Sequence, residues 1–122
     1  MINENMYKAI VENANSIILL MDAKGRITFL NQFGQRFFGY PENDILGKSV
    51  VGTIVSERNL SGEDLTKMIK GIIENPTQYS VNENENMRSS GERVRVLWTN
   101  KALVGFDGSI QEILCIGNQK DK

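Results

Sequence analysis

Residues 78–119 alternate apolar and polar side chains with a period of two through three runs, QYSVNENENMR, ERVRVLWTNKALV and SIQEILCIGNQ, joined through SSGE and GFDG. Successive side chains on an extended backbone point to opposite faces, and short glycine-bearing breaks between such runs are hairpin turns. The pattern predicts a three-stranded antiparallel meander. Upstream, SIILLMD, the turn AKG and RITFLN read as a further hairpin.

Between hairpin and meander the period becomes helical. Asn31 is a natural N-cap for QFGQRFFGY, which buries Phe33, Phe37 and Phe38 and stops at Gly39. Pro41 opens a helical turn, PENDIL, with Glu42 and Asp44 at the positive end of its dipole and Gly47 at its close. Ser61 and Asp64 resemble a capping box ahead of Leu65, Met68, Ile69, Ile72 and Ile73, whose spacing predicts a helix ended by Pro76. Residues 4–15, ENMYKAIVENAN, carry a narrow apolar stripe of Met6, Ile10, Val11 and Ala14. Strand, strand, helices and three strands is an α+β order: one five-stranded antiparallel sheet with helices on one face, preceded by a flanking helix. The expected division is residues 1–15 for that helix, 16–119 for the domain and 120–122 for a tail.

The chemistry such a domain can host is narrow. ILGKSV, residues 45–50, has the Gly-Lys-Ser of a phosphate-binding loop, but Glu42 stands where the loop needs its first glycine, and Asp44 adds a second negative charge. Gly47 reads instead as a helix stop, with Ile45 and Leu46 in the core and Lys48 offsetting the negative end of the helix dipole. The chain has no histidine, which removes His-based general-base, nucleophilic and metal chemistry. Cys115 is the single cysteine, so neither a disulfide nor a multi-cysteine metal site can form within the chain. Glu83 and Glu85 read as a solvated strand face rather than a catalytic pair. Fourteen basic residues against fifteen acidic ones, without a basic stripe, give no nucleic-acid footprint. The longest apolar run, Ile17 to Met21, is too short to span a bilayer. A soluble, non-enzymatic domain is expected.

NSIILLMDAKGRITFLNQFGQRFFGYPENDILGKSV and SSGERVRVLWTNKALVGFDGSIQEILCIGN together resemble the PAS sensor domain over about residues 13 to 118. The likeness lies in the Asn after the second strand, the aromatic-Gly-Tyr and Leu-Gly-Lys segments, the Trp-bearing long strand, the Asp-Gly turn and the closing Gly. It implies a cytoplasmic sensory module of a signal-transduction protein, such as a histidine kinase of a two-component system or a cyclase. Such modules bind a small molecule between sheet and helices, or mediate dimerisation, and act on an effector domain elsewhere in the parent protein. The family's usual Asp-Ile-Thr is replaced here by GNQKDK. Haem through a histidine is excluded, with Met68 the one candidate axial ligand in its place. Cysteinyl-flavin photochemistry is excluded too, because SVVGTIVSERNL stands where light-sensing relatives carry Asn-Cys-Arg-Phe. Noncovalent flavin is left open, with nothing in the residues to support it, and Cys115 reads as a small buried filler.

The resemblance also places Val94, Val96, Trp98, Asn100 and Ala102 on the face that looks into the family cavity, with Asn82, Asn84 and Asn86 beside them. The candidate ligand-binding set is Asn84, Asn86, Val96, Trp98, Asn100 and Phe37, the amides donating and accepting while the indole stacks. A one-residue slip would bury Glu83 and Glu85 instead, at greater cost. Leu97, Leu103, Ile113 and Cys115 are expected to face outward. Met6, Ile10, Val11 and Ala14 are expected to form a homodimer contact, with packing on the chain's own sheet as the alternative. The competing functional reading is a ligand-free interaction module whose cavity is filled by its own side chains.

Overall fold

The structure, a computed structural model, describes residues 3–57 and 62–120. Helix α1 (Glu4–Asn13) leads into the hairpin β1 (Ile17–Met21) and β2 (Ile27–Leu30). Helices α2 (Gln32–Phe38), α3 (Glu42–Ile45) and α4 (Gly62–Glu74) and a 3-10 turn (Pro76–Tyr79) follow, then β3 (Val81–Met87), β4 (Arg93–Val104) and β5 (Ile110–Gln119). The five strands form one antiparallel sheet in the order β2-β1-β5-β4-β3, so the helices carry the chain from one sheet edge to the other. The α+β class and the five-stranded sheet agree with the sequence pattern. The capping box at Ser61 lies outside the described residues.

Residues directly opposite on paired strands share a face. Asn82, Asn84 and Asn86 oppose Trp98, Val96 and Val94. Trp98, Asn100 and Ala102 in turn oppose Gly117, Cys115 and Ile113, and Cys115 and Ile113 oppose Leu19 and Met21 on β1. All of these line the inner face, against which Phe38, Ile45, Val50, Ile54, Ile69 and Ile72 are buried from the helical side. Leu97 and Leu103 face outward and are exposed, as their strand parity requires. Ile113 and Cys115 do not: both are buried inward, correcting the expected face of β5. The register of β5 against β4 decides this, because it sets Cys115 against inward-facing Asn100 rather than Thr99.

Asn31, fully buried, joins three elements. Its Oδ1 accepts from Gly34 N, capping α2, and from Ile18 N, while its Nδ2 donates to the carbonyls of Val11 and Ser16, each at 3.0 Å. These bonds, with Gln32 N donating to Glu12 Oε1, hold the C-terminal end of α1. The rest of that helix has no buried residue, and Met6, Tyr7 and Ile10 are each about half exposed.

The ILGKSV segment differs from expectation in two places. Ile45 is buried, but Leu46 is 39% exposed, because Gly47 turns the chain at φ 84° immediately after it. Lys48 acts through its backbone instead of a helix dipole: Gly47 N donates to Ile27 O, and Ile27 N donates to Lys48 O. Val50 N then donates to Gly25 O. The segment is thus an extra pairing along β2, and it delivers Val50 to the core. No helix among the described residues is long and apolar enough to cross a membrane.

Candidate functional site

A cavity of about 40 Å³ lies between the inner face of the sheet and the segment that joins α3 to α4. A water molecule needs roughly 10–15 Å³ measured this way, so the space holds about three waters. Its polar wall is Asn82, Asn84, Asn86 and Asn100, with Trp98 among them. Leu19, Met21 and Cys115 from the sheet, Val50, Ile54 and Val55 from the connecting segment and Met68 from α4 form the apolar wall. Residues with the spacing of a strand thus put amides on the same face as core valines, and the short connection above them leaves the gap.

The amides are not equivalent. Asn86 is 2% exposed and satisfied by the protein: Oδ1 accepts from Trp98 Nε1 at 3.0 Å, and Nδ2 donates to Ile54 O at 3.0 Å. Ile54 O also accepts from Met87 N at 2.8 Å, so this carbonyl latches the covering segment to β3. Asn100 Nδ2 donates to Tyr79 O at 3.0 Å and also to Asn82 Oδ1. Asn84 is half-buried, and among the described residues its amide makes no hydrogen bond. None of the site's unpaired nitrogen or oxygen atoms is sealed from solvent.

The indole of Trp98 is fixed on its other side by Gly117. A Cβ at that position would lie 2.7 Å from Trp98 Cε3 and 2.8 Å from Val96 Cγ1. Trp98 is therefore held by Asn86 at its nitrogen and by a glycine at its six-membered ring. Cys115 is the one titratable group among the described residues of the lining; burial pushes its thiol up to about 12, so it stays protonated near neutral pH. Among the described residues no group of His, Cys, Asp or Glu is arranged to hold a metal ion.

Of the six candidate positions, the structure brings Asn84, Asn86, Trp98 and Asn100 together around the cavity. Val96 is fully buried on the same face but packs toward Gly117 and is not part of the lining. Phe37 is not part of it either. Its ring stacks on Phe33 at 6.4 Å and meets Phe38 edge-on at 5.0 Å, and the Arg88 guanidinium lies 4.5 Å above it. Arg88 Nε also donates to Phe37 O, which holds α2 against the β3–β4 hairpin. Sequence reasoning missed Ile54 and Gly117. Gly117 had a signal, as the glycine that register sets opposite the chain's single tryptophan; the segment carrying Ile54 has neither a clear period nor a motif.

The sequence model of one protein family, described as the PAS fold, matches residues 5–119. No curated protein matches the chain. Among solved structures it is similar to the PAS domain of an HTR-like protein from Haloarcula marismortui, with 21% identity and a TM-score of 0.76 over 95% of this chain and 90% of that one. A domain of a sensory box sensor histidine kinase/response regulator from Geobacter sulfurreducens gives 23% identity and a TM-score of 0.71, over 93% of this chain and 91% of that one. The PAS domain of the Cronobacter turicensis RpfR quorum-sensing receptor, in complex with C12:0, gives 24% and 0.67, over 91% and 99%.

Proposed function

The chain belongs to the PAS family, and we propose that it is a non-enzymatic sensory module that takes a small polar molecule into the asparagine-walled cavity. The observation that carries this reading is the amide of Asn84, which lines the cavity and makes no hydrogen bond among the described residues. An amide in a half-buried wall that pairs with no protein group is a donor and acceptor that a ligand can take over from water. Asn86 and Trp98 serve as the fixed floor, and Asn84 with Asn100 serves as the grip.

The cavity also limits size. The Cronobacter domain is in complex with C12:0; about 40 Å³ here suits a ligand of a few non-hydrogen atoms. A thermal-shift screen of small polar compounds tests the reading. Compounds that raise the Tm of the wild type and not that of Asn84→Leu support it, and equal shifts in both proteins count against it.

The same proposal places the module in a cytoplasmic signalling protein, with an effector such as a histidine kinase, the kind of protein in which the Geobacter neighbour is found. It also makes the Met6, Ile10, Val11 and Ala14 face of α1 a homodimer contact, supported by Met6 and Ile10 being 48% and 57% exposed. One observation favours the ligand-free interaction reading, namely that Asn86 and Trp98 already satisfy each other. The two readings part at Asn84: the ligand reading has a small molecule pair its amide, and the interaction reading leaves that amide to water.

A further inference from the structure

We infer that the cavity selects an uncharged molecule with an amide or urea edge and rejects carboxylates and ammonium ions of the same size; this rests on reading the cavity as a ligand site. Among the described residues its lining contains no Lys, Arg, Asp or Glu. The nearest charges on β3 alternate with the asparagines, so Glu83 and Glu85 lie on the opposite face, where they pair with Arg95 and Arg93 at 2.7 and 2.8 Å. An ion entering the cavity loses hydration and meets no counter-charge among the described residues, a large cost that a neutral molecule avoids.

The unpaired atoms give the complementary pattern. Asn100 uses Nδ2 on Tyr79 O and Asn82 Oδ1, which leaves its Oδ1 as an acceptor. The same contact leaves Asn82 Nδ2 as a donor, and Asn84 offers both kinds of atom. Donors and acceptors side by side on one strand pair match a group whose carbonyl accepts while its N–H donates. Leu19 and Met21 on the same sheet face, with Ile54 and Met68 across the gap, suit a short alkyl substituent. A carboxylate, which only accepts, leaves the Asn100 oxygen facing a like partial charge.

The test is an NMR titration of the 15N-labelled chain at pH 7 with acetamide and acetate, which match in shape and differ in charge. Acetamide is expected to shift the Asn84 side-chain amide saturably and to bind at least about tenfold more tightly than acetate. Asn84→Leu is expected to abolish that binding, and an unmoved Trp98 indole N–H signal reports that the variant is folded. Acetate binding as tightly as acetamide, still dependent on Asn84, overturns the neutral-ligand inference and leaves the ligand site standing. Acetamide binding that survives Asn84→Leu, or no saturable shift with either probe, overturns the ligand site itself.

Discussion

Trp98 Nε1 donates to Asn86 Oδ1 at 3.0 Å, so the two most deeply placed polar groups of the cavity are committed to each other. The other end of Asn86 donates to Ile54 O, which ties the covering segment to the sheet. Asn86→Ala strands the indole N–H and releases half of that latch. The variant is expected to lose about 1–3 kcal/mol of stability, measured by urea denaturation. Trp98→Phe removes the same bond from its other side, so the double variant is expected to lose less than the sum of the single ones.

Gly117→Ala tests the platform under the indole. The added methyl would sit 2.7 Å from a rigid ring and 2.8 Å from Val96, itself fully buried. Neither neighbour can yield without moving the core, so about 1–3 kcal/mol of overpacking is expected. Tryptophan fluorescence is expected to change together with stability. Unchanged fluorescence and stability would mean that the indole does not rest on Gly117.

The thiol of Cys115 gives a pH prediction. Burial raises it to about 12 from an ordinary value of 9.0, so above pH 9 the unfolded chain releases its proton while the folded chain keeps it. The unfolded state then binds fewer protons, and stability falls as pH rises from 9 toward 12. Part of that fall is expected to disappear in Cys115→Ala when the two proteins are compared by denaturation at pH 8 and pH 10. At pH 8 the native thiol, buried and protonated, is expected to react with a disulfide reagent much more slowly than the unfolded one.

The exposed face of α1 leads to a prediction about assembly. Ile10 is 57% exposed beside Met6 and Tyr7 at 48% and 59%. Ile10→Asp is expected to shift a dimer to a monomer in sedimentation velocity with no loss of thermal stability, since no residue of α1 is buried within the chain. A wild-type chain that sediments as a monomer at high concentration would remove this contact.

The period-two pattern made the strands legible, and the family resemblance turned the asparagines inward, in keeping with the cost of burying Glu83 and Glu85. It did not reach across to β5. There the apolar run ILCI offers no alternation, and the pairing of Asn100 with Cys115 sets the face. Asn31 was readable as an N-cap, since capping is local. Its bonds to Val11 and Ser16 span 20 and 15 positions and leave no local mark. Phe37 was included in the ligand-binding set as a buried aromatic of α2, and the position of Arg88 from a distant hairpin shows why it lies elsewhere. The cavity's roof, Val50 to Val55, is irregular chain tied by a few hydrogen bonds to the carbonyls of Val50 and Ile54 rather than by a strand ladder. Its place follows from what it covers.

Native mass spectrometry of the chain purified without refolding bears most directly on the sensory reading. A co-purified or added neutral compound of a few non-hydrogen atoms, bound once per chain and absent from Asn84→Leu, is the expected result. A chain that stays empty across a panel of small amides, ureas and carboxylates, or that carries the same mass with and without Asn84, would contradict it.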